Sequence, residues 1–340
     1  MTLGRLLAKR SRRGLQPWLI LAAIVIALLV MPSLLGGPLN TFTAYTILQA
    51  FAEVGLVTLG LGLTMVIGEY DLSTTAVYAL GGLLAVKFGD HSALLGVAAA
   101  VAMGAFVGAA QGGIMATLGI SSVPVTLGGL LILTGATSAV SGGQPVASTH
   151  INLAIDLNQQ ILTVFSPQSL IVLALFVVAA AIMRLTRLGR DVRALGGDRR
   201  SSRTAGVRVQ RTLIGVMVTS GVCCGLGGAL SAISVAAGPS NVTVTPLIYA
   251  TIGAILGGVT LGGGRGTPMG MAAGALSLAT LNQTLAIVGA ADYVSDIVTA
   301  VLLLLATVLT APDLARSALG RYIRRVERAA PIESGGAVRQ

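Results

Sequence analysis

Charge is what this sequence lacks most. Of 340 residues only 10% are Asp, Glu, Lys or Arg, while 54% are hydrophobic and the mean hydropathy is +0.87. Soluble domains carry about 25% charge, and a water-soluble fold could not hide this much apolar surface. Cysteine is scarcer still. The only two, Cys223 and Cys224, are adjacent in an apolar span, where helix neighbours point apart, so neither a structural disulfide nor a zinc site is expected. His91 and His150 stand alone without metal-like spacing. There is no HExxH, no GxSxG and no GxxxxGK[ST] phosphate loop, because "GGGRGT" lacks the lysine and the spacing. These absences point away from an enzyme, require no cofactor, and leave any energy supply to a partner or an ion gradient.

What is present is long apolar runs such as "LIVLALFVVAAAIM". Backbone polar groups must be satisfied within lipid, so the choice is helices or a closed barrel. Barrel strands alternate apolar and polar residues, whereas these runs are continuous, so an all-α integral membrane protein is expected. Glycine is abundant at 45 residues and recurs four apart at Gly104, Gly108, Gly112, at Gly221, Gly225 and at Gly266, Gly270, Gly274. That spacing lets membrane helices approach closely.

About ten spans are predicted, at 17–36, 42–67, 73–88, 92–118, 122–141, 167–184, 211–237, 246–261, 267–288 and 292–311. The third and eighth are short enough to be broken or tilted helices. The first follows "KRSRRG", which imitates a signal peptide, but no small-residue cleavage site follows before Pro32, and it reads as a retained helix. Of the 22 basic residues, five precede the first span, nine lie between 184 and 211, six follow 311, and Arg265 and Lys87 stand alone. Ten spans with both termini cytoplasmic leave only Lys87 outside, as the positive-inside rule demands. The basic balance is thus topological, with no nucleic-acid partner implied. The expected organisation is a cytoplasmic basic segment 1–16, a transmembrane domain 17–311 with a cytoplasmic loop at 185–210, and a cytoplasmic tail 312–340. The outer segment 142–166, with His150 and Asp156, could cap the far face and meet an external partner.

The loop has internal order. "TRLGRDVRALGG" reads as a short amphipathic element ending at Gly196–Gly197. Asp198 is placed to N-cap "RRSSRTA", and Gly206 to terminate it. Such a glycine-framed helix at the membrane surface suits pressing against another protein. A solvated basic loop or contact with membrane lipid headgroups fits the same residues.

Three ordered stretches resemble the permeases of ribose-type ABC importers. "TRLGRDVRALGGDRRSSRTAGVRVQR" is similar to their T-R-x-G-R…A-x-G-G-[ND]…G-[IV]-x-V loop, "GLGLTMVIGEYDLSTTAVYALGG" to their G-x-[IYF]-D-L-S segment, and "IGAILGGVTLGGGRGTPMGMAAGALSLATLNQTLAIVGA" to their L-x-G-G-x-G-T…L-N-x-x-L segment. The resemblance covers about 42–311. It implies a channel subunit in the bacterial inner membrane, paired with a second permease copy or paralogue, resting on a cytoplasmic ATP-binding subunit and fed by an extracytoplasmic sugar-binding protein. The segment 187–207 matches the element that couples the ATPase to the channel, which implies coupling roles for Arg193, Gly197, Asp198, Arg199, Arg200, Arg203 and Gly206. Two departures stand out. Glu69 and Tyr70 replace a Gly and an Ile before Asp71, with Thr74–Thr75 replacing Val–Gly. Arg199 and Arg200 replace an acidic Glu-Ala-Ala element.

Ionisable and amide groups within spans are candidates for a solute path. Glu53 has no basic residue in its span. Asp71, followed by Ser73, reads either as a helix cap or as a hinge. Asn282 and Gln283 interrupt the ninth span and either bond across helices or line the path. Asp292 and Asp296 lie one turn apart near the outer end of the last span. A proton-coupled secondary transporter would also need such carboxylates, and permeases for nucleosides or branched-chain amino acids share the architecture.

Overall fold

The computed structural model describes residues 41–304 apart from positions 91, 150 and 292. The expected span 17–36, the segment 1–16, the tail 312–340, the end of the last span, His91, His150 and Asp292 lie outside the described residues.

The apolar runs form helices. In chain order these are α1 (Thr41–Val66), α2 (Thr74–Gly89), α3 (Ala93–Leu118), α4 (Ser122–Ser141), α5 (Ile151–Asn158), α6 (Pro167–Leu185), α7 (Arg187–Gly197), α8 (Arg199–Thr204), α9 (Val209–Ser234), α10 (Thr245–Leu256), α11 (Pro268–Ile287) and α12 (Tyr293–Leu304). Two short strands, β1 (Val146–Ala147) and β2 (Ala237–Gly238), pair antiparallel. Among the described residues, five helices (α1, α3, α4, α6 and α9) are long and apolar enough to cross a membrane. At 1.5 Å per residue, α2 and α10 reach only about 24 and 18 Å, short of the ~30 Å hydrocarbon core. Each follows an irregular segment, 67–73 or 235–244. They are the two spans whose length had suggested a break.

The helices have a near end, carrying α7 and α8, and a far end, carrying β1, β2 and α5. Helices α1 and α9, each of 26 residues, run antiparallel through the centre, and 61% of the apolar window of each is buried. Around them each of the two short apolar helices packs away from the helix that precedes it. Helix α2 follows α1 in sequence but packs chiefly on α9 and α3; α10 follows α9 but packs on α1 and α11. Helices α3, α4 and α6 are peripheral and expose large apolar residues such as Phe106, Leu131, Ile132 and Val177, as a lipid-facing surface would.

The glycine ladder makes these contacts possible. An added Cβ on Gly104 of α3 would stand 2.1 Å from the Gly221 carbonyl oxygen of α9, and one on Gly274 of α11 2.0 Å from that of Gly253 on α10. No side chain fits there, so backbone meets backbone. Cys224 is buried and Cys223 partly so, and both are free thiols.

Candidate functional site

Polar atoms concentrate at the break between α1 and α2. Gly68 turns the chain at φ +79°, a conformation open to glycine without strain. Residues 69–73 then run back beside the start of α4. An extended buried segment needs partners for its N–H groups, and α4 hydroxyls supply them: the Tyr70 N–H donates to Ser122 Oγ and the Leu72 N–H to Thr126 Oγ1, both at 3.1 Å. Asp71, 3% exposed, accepts from the Ser73 backbone N–H at 2.9 Å and from its hydroxyl at 2.7 Å. This is an Asx turn just ahead of α2; the N-cap of the helix is Ser73, and no side chain caps its first turn. Its second oxygen receives the Ser220 hydroxyl of α9 at 3.4 Å, and Ser73 Oγ lies 3.0 Å from the Gln111 amide oxygen on α3. Ser220 is the twelfth residue of α9, which sets this network roughly 17 Å from the near end. The second break arrives at the same depth. The Thr75 hydroxyl donates to the Thr243 carbonyl, and the Tyr70 hydroxyl meets Thr251 Oγ1 of α10 at 2.6 Å.

A separate cavity of about 330 Å³ opens between α1, α10, α11 and α12, with Glu53, Tyr249, Asn282 and Asp296 among its lining. Its size suits a small solute. Glu53 is exposed into it and makes no hydrogen bond among the described residues. Asn282 Oδ1 accepts from the Thr299 hydroxyl of α12 at 3.3 Å. Glu53 and Asn282, singled out separately, thus face one space, and Asp296 shares it. Asp71 and Ser73 belong to the buried network instead. Gln283 is half-buried and lines neither.

At the near end, α7 buries Val192 and Leu195 and exposes Arg187, Arg190 and Arg193. Its last turn rests on backbone: a Cβ on Gly196 would lie 1.8 Å from the Val66 oxygen and 2.5 Å from the Gly264 nitrogen. Asp198 caps α8 as its position suggested, accepting from the Ser201 N–H at 2.8 Å, and that backbone hydrogen bond holds its carboxyl below the usual carboxylate range. Gly206, at φ +82°, follows the helix and donates to the Arg203 carbonyl at 3.1 Å.

The four arginines that the resemblance groups for coupling divide in two. Arg193 donates to the carbonyls of Gly189 (3.1 Å) and Met183 (2.9 Å), closing the end of α6. Arg199 forms an ion pair with Glu69, which is 7% exposed and whose other oxygen accepts from the Ser122 N–H at 3.3 Å. Burial first, and then the nearby Arg203, lower the Arg199 pKa from its ordinary value, but a guanidinium stays charged. Arg200 and Arg203 are exposed, as are Gly197, Asp198 and Gly206.

Sequence reasoning missed Gln111, Ser220, Ser122 and Thr126, and the pairing of Glu69 with Arg199. Gln111 carried a signal, being a lone amide in an apolar run. The hydroxyls carried none, because Thr134 and Ser277 look the same in sequence and bond only to carbonyls four residues back in their own helices.

The family model described as "Branched-chain amino acid transport system / permease component" matches residues 43–307. The ribose import permease protein RbsC of Escherichia coli (strain K12) is 31% identical over 307 residues, 86% of this chain and 94% of that protein. The D-allose transport system permease protein AlsC of the same strain is 28% identical, covering 80% of this chain and 85% of that one. The fructose import permease protein FrcC of Rhizobium meliloti is 29% identical, covering 79% and 78%. No solved structure matches the chain.

Proposed function

The chain belongs to the family of branched-chain amino acid transport system permease components, and from that membership we propose that it is the membrane permease subunit of an ABC importer that passes a sugar or related small polar solute into the cytoplasm. In this reading an external sugar-binding protein delivers the solute, a cytoplasmic ATP-binding subunit supplies the energy, and a second permease copy or paralogue completes the channel. The near end is cytoplasmic, and about ten spans cross the inner membrane.

The observation that carries the reading is the helix pair α7–α8. It is built as a rigid outward face, capped by Asp198 and seated on backbone through Gly196, at one end of an otherwise apolar bundle. The relatives named for ribose, allose and fructose support a sugar over an amino acid. The cavity is compatible with a sugar, because Glu53, Asn282, Ser295 and Asp296 offer hydrogen bonds to hydroxyls beside an aliphatic wall. Asn241, Thr243, Val244 and Thr245 are exposed in the single chain, close in depth to the Asp71 network; a second copy against this side would enclose them.

The test is uptake into liposomes holding the chain with the ATP-binding subunit that co-purifies with it. Labelled ribose, allose, fructose and leucine are offered with the binding protein, and either ATP or a proton gradient is supplied. ATP-dependent uptake of a sugar is expected. Uptake driven by the gradient alone would favour the proton-coupled reading, which Glu53 and Asp296 in one cavity support. Uptake of leucine alone would move the chain to the amino-acid branch. Labelling of Ser201→Cys in a Cys-free variant is expected only from the cytoplasm.

A further inference from the structure

Glu69 and Arg199 lie 130 residues apart and form an ion pair. Both stand where this sequence departs from the pattern it resembles, which has a glycine at the first position and a glutamate at the second. The departures suit each other. A glycine at 69 could not reach the loop, and a glutamate at 199 would face Glu69 with like charge. Each departure alone would leave a charge without its partner, and together they make a bond.

We infer that Glu69 and Arg199 are a positioning pair that ties any movement of α7–α8 to the break at 67–73, an inference that rests on the permease function proposed above. Glu69 is almost fully buried, and its two oxygens are divided between Arg199 on α8 and the Ser122 N–H at the start of α4. Pulling α8 away would leave a buried carboxylate facing a single backbone donor, an expensive state in a low-dielectric setting. Moving Glu69 along with α8 is the easier response. The next residue, Tyr70, is bonded to Thr251 of α10, and Asp71 after it to Ser220 of α9. One surface bond therefore connects to α10 and to the central helix α9 through three consecutive residues. The backbone seat of Gly196 on Val66 is a second contact between the same parts. It resists compression, whereas the ion pair also resists separation. Arg199 is thus a positioning residue that acts through Glu69, while Arg200 and Arg203 keep their outward faces.

Two measurements on the full-length chain test this. The first is hydrogen exchange of the 69–73 amides in lipid nanodiscs without any partner. Arg199→Gln and Glu69→Gln should each speed exchange about tenfold, the size of a charge-assisted hydrogen bond, and Arg200→Gln should not. The second is ATP-dependent uptake in the complete liposome system, which should fall about tenfold in either single variant. The double variant Glu69→Gln/Arg199→Gln should be no worse than the worse single in both assays, since it leaves no lone buried charge. Glu69→Gln/Arg199→Gln is the deciding variant, because a glutamine at 69 can still accept from the Ser122 N–H. Unchanged exchange in Arg199→Gln, additive losses in the double variant, or normal uptake despite faster exchange would each overturn the inference. If the unmodified chain shows no ATP-dependent uptake, the permease reading fails in its own control and the inference falls with it. That outcome is visible before any variant is compared.

Discussion

The two breaks each precede a short apolar helix and meet at one depth, yet they are held differently. In 67–73, Ile67, Glu69, Asp71 and Ser73 are buried, and six side chains from five other helices bond to the segment. In 235–244 only Gly238 is fully buried. One break is pinned by side chains from several helices, and the other is held at fewer points, through the β1–β2 pair and the carbonyls of Ser240 and Thr243. Two helices that start at the same depth can thus have unequal freedom, and the freer one borders the cavity, through Tyr249.

The strongest way to break the contrast is to strike the seat of the pinned side. Gly196→Ala would force a Cβ to within 1.8 Å of the Val66 oxygen, an overpacking of about 3 kcal/mol or more. Gly238→Ala at the other break would meet Leu83, its Cδ1 at 3.1 Å and its Cα at 3.2 Å, and Val86 Cβ at 3.5 Å, and should cost about 1 kcal/mol. Thermal unfolding in detergent should show the first variant far less stable, and equal midpoints would erase the distinction.

Next in size is the network itself. Asp71→Ala strands the Ser73 N–H and the Ser220 hydroxyl away from water and should cost about 2 kcal/mol. Thr245→Ala, at an exposed site beside the other break, should stay within about 0.5 kcal/mol. The same unfolding assay compares them. A third pair separates holding from passing. Glu53→Gln and Asn282→Leu should lower uptake about tenfold with unchanged unfolding midpoints, because Glu53 has no bond to lose and Asn282 only a long one. Normal uptake in both would make the cavity a packing defect.

The smallest effect sharpens the near end. The folded Asp198 carboxyl has a lowered pKa. Its contribution is therefore complete above the ordinary carboxylate value and is lost as the pH falls through the lower folded one. Exchange of the Ser201 amide should rise in the native protein only well below about pH 4. Asp198→Asn, which keeps the cap without the charge, should show no such step, and Asp198→Ala should exchange faster at every pH.

The long apolar helices between 41 and 287 were legible because apolar runs between glycine and polar breaks need no tertiary information, whereas α5 lies in a segment expected to be an outer loop and α10 ends at Leu256, short of the expected 261. The α7–α8 frame was legible for the same reason, since caps at Asp198 and Gly206 are local. The network was not. Whether Ser220 bonds across to Asp71 or back to its own helix depends on what α2 presents, and no local pattern encodes that. The arginine cluster looked uniform in sequence, because Arg193 and Arg199 resemble Arg200 and Arg203 until a carbonyl end and a buried Glu69 are brought beside them.

The packing of α2 on the later helix α9 also bears on how the chain is made. Helix α2 leaves the ribosome well before α9, yet Gly81 and Gly82 rest on Gly225 and Gly228 of α9. The early helices must therefore wait in the bilayer with a glycine face uncovered and one Asp71 oxygen without its Ser220 partner until the second half is inserted. Contacts so distant in sequence slow assembly and expose the intermediate to mispairing and to quality-control proteases. A nascent chain stalled after Ser141 should be degraded quickly, whereas one stalled after Ser234 should persist.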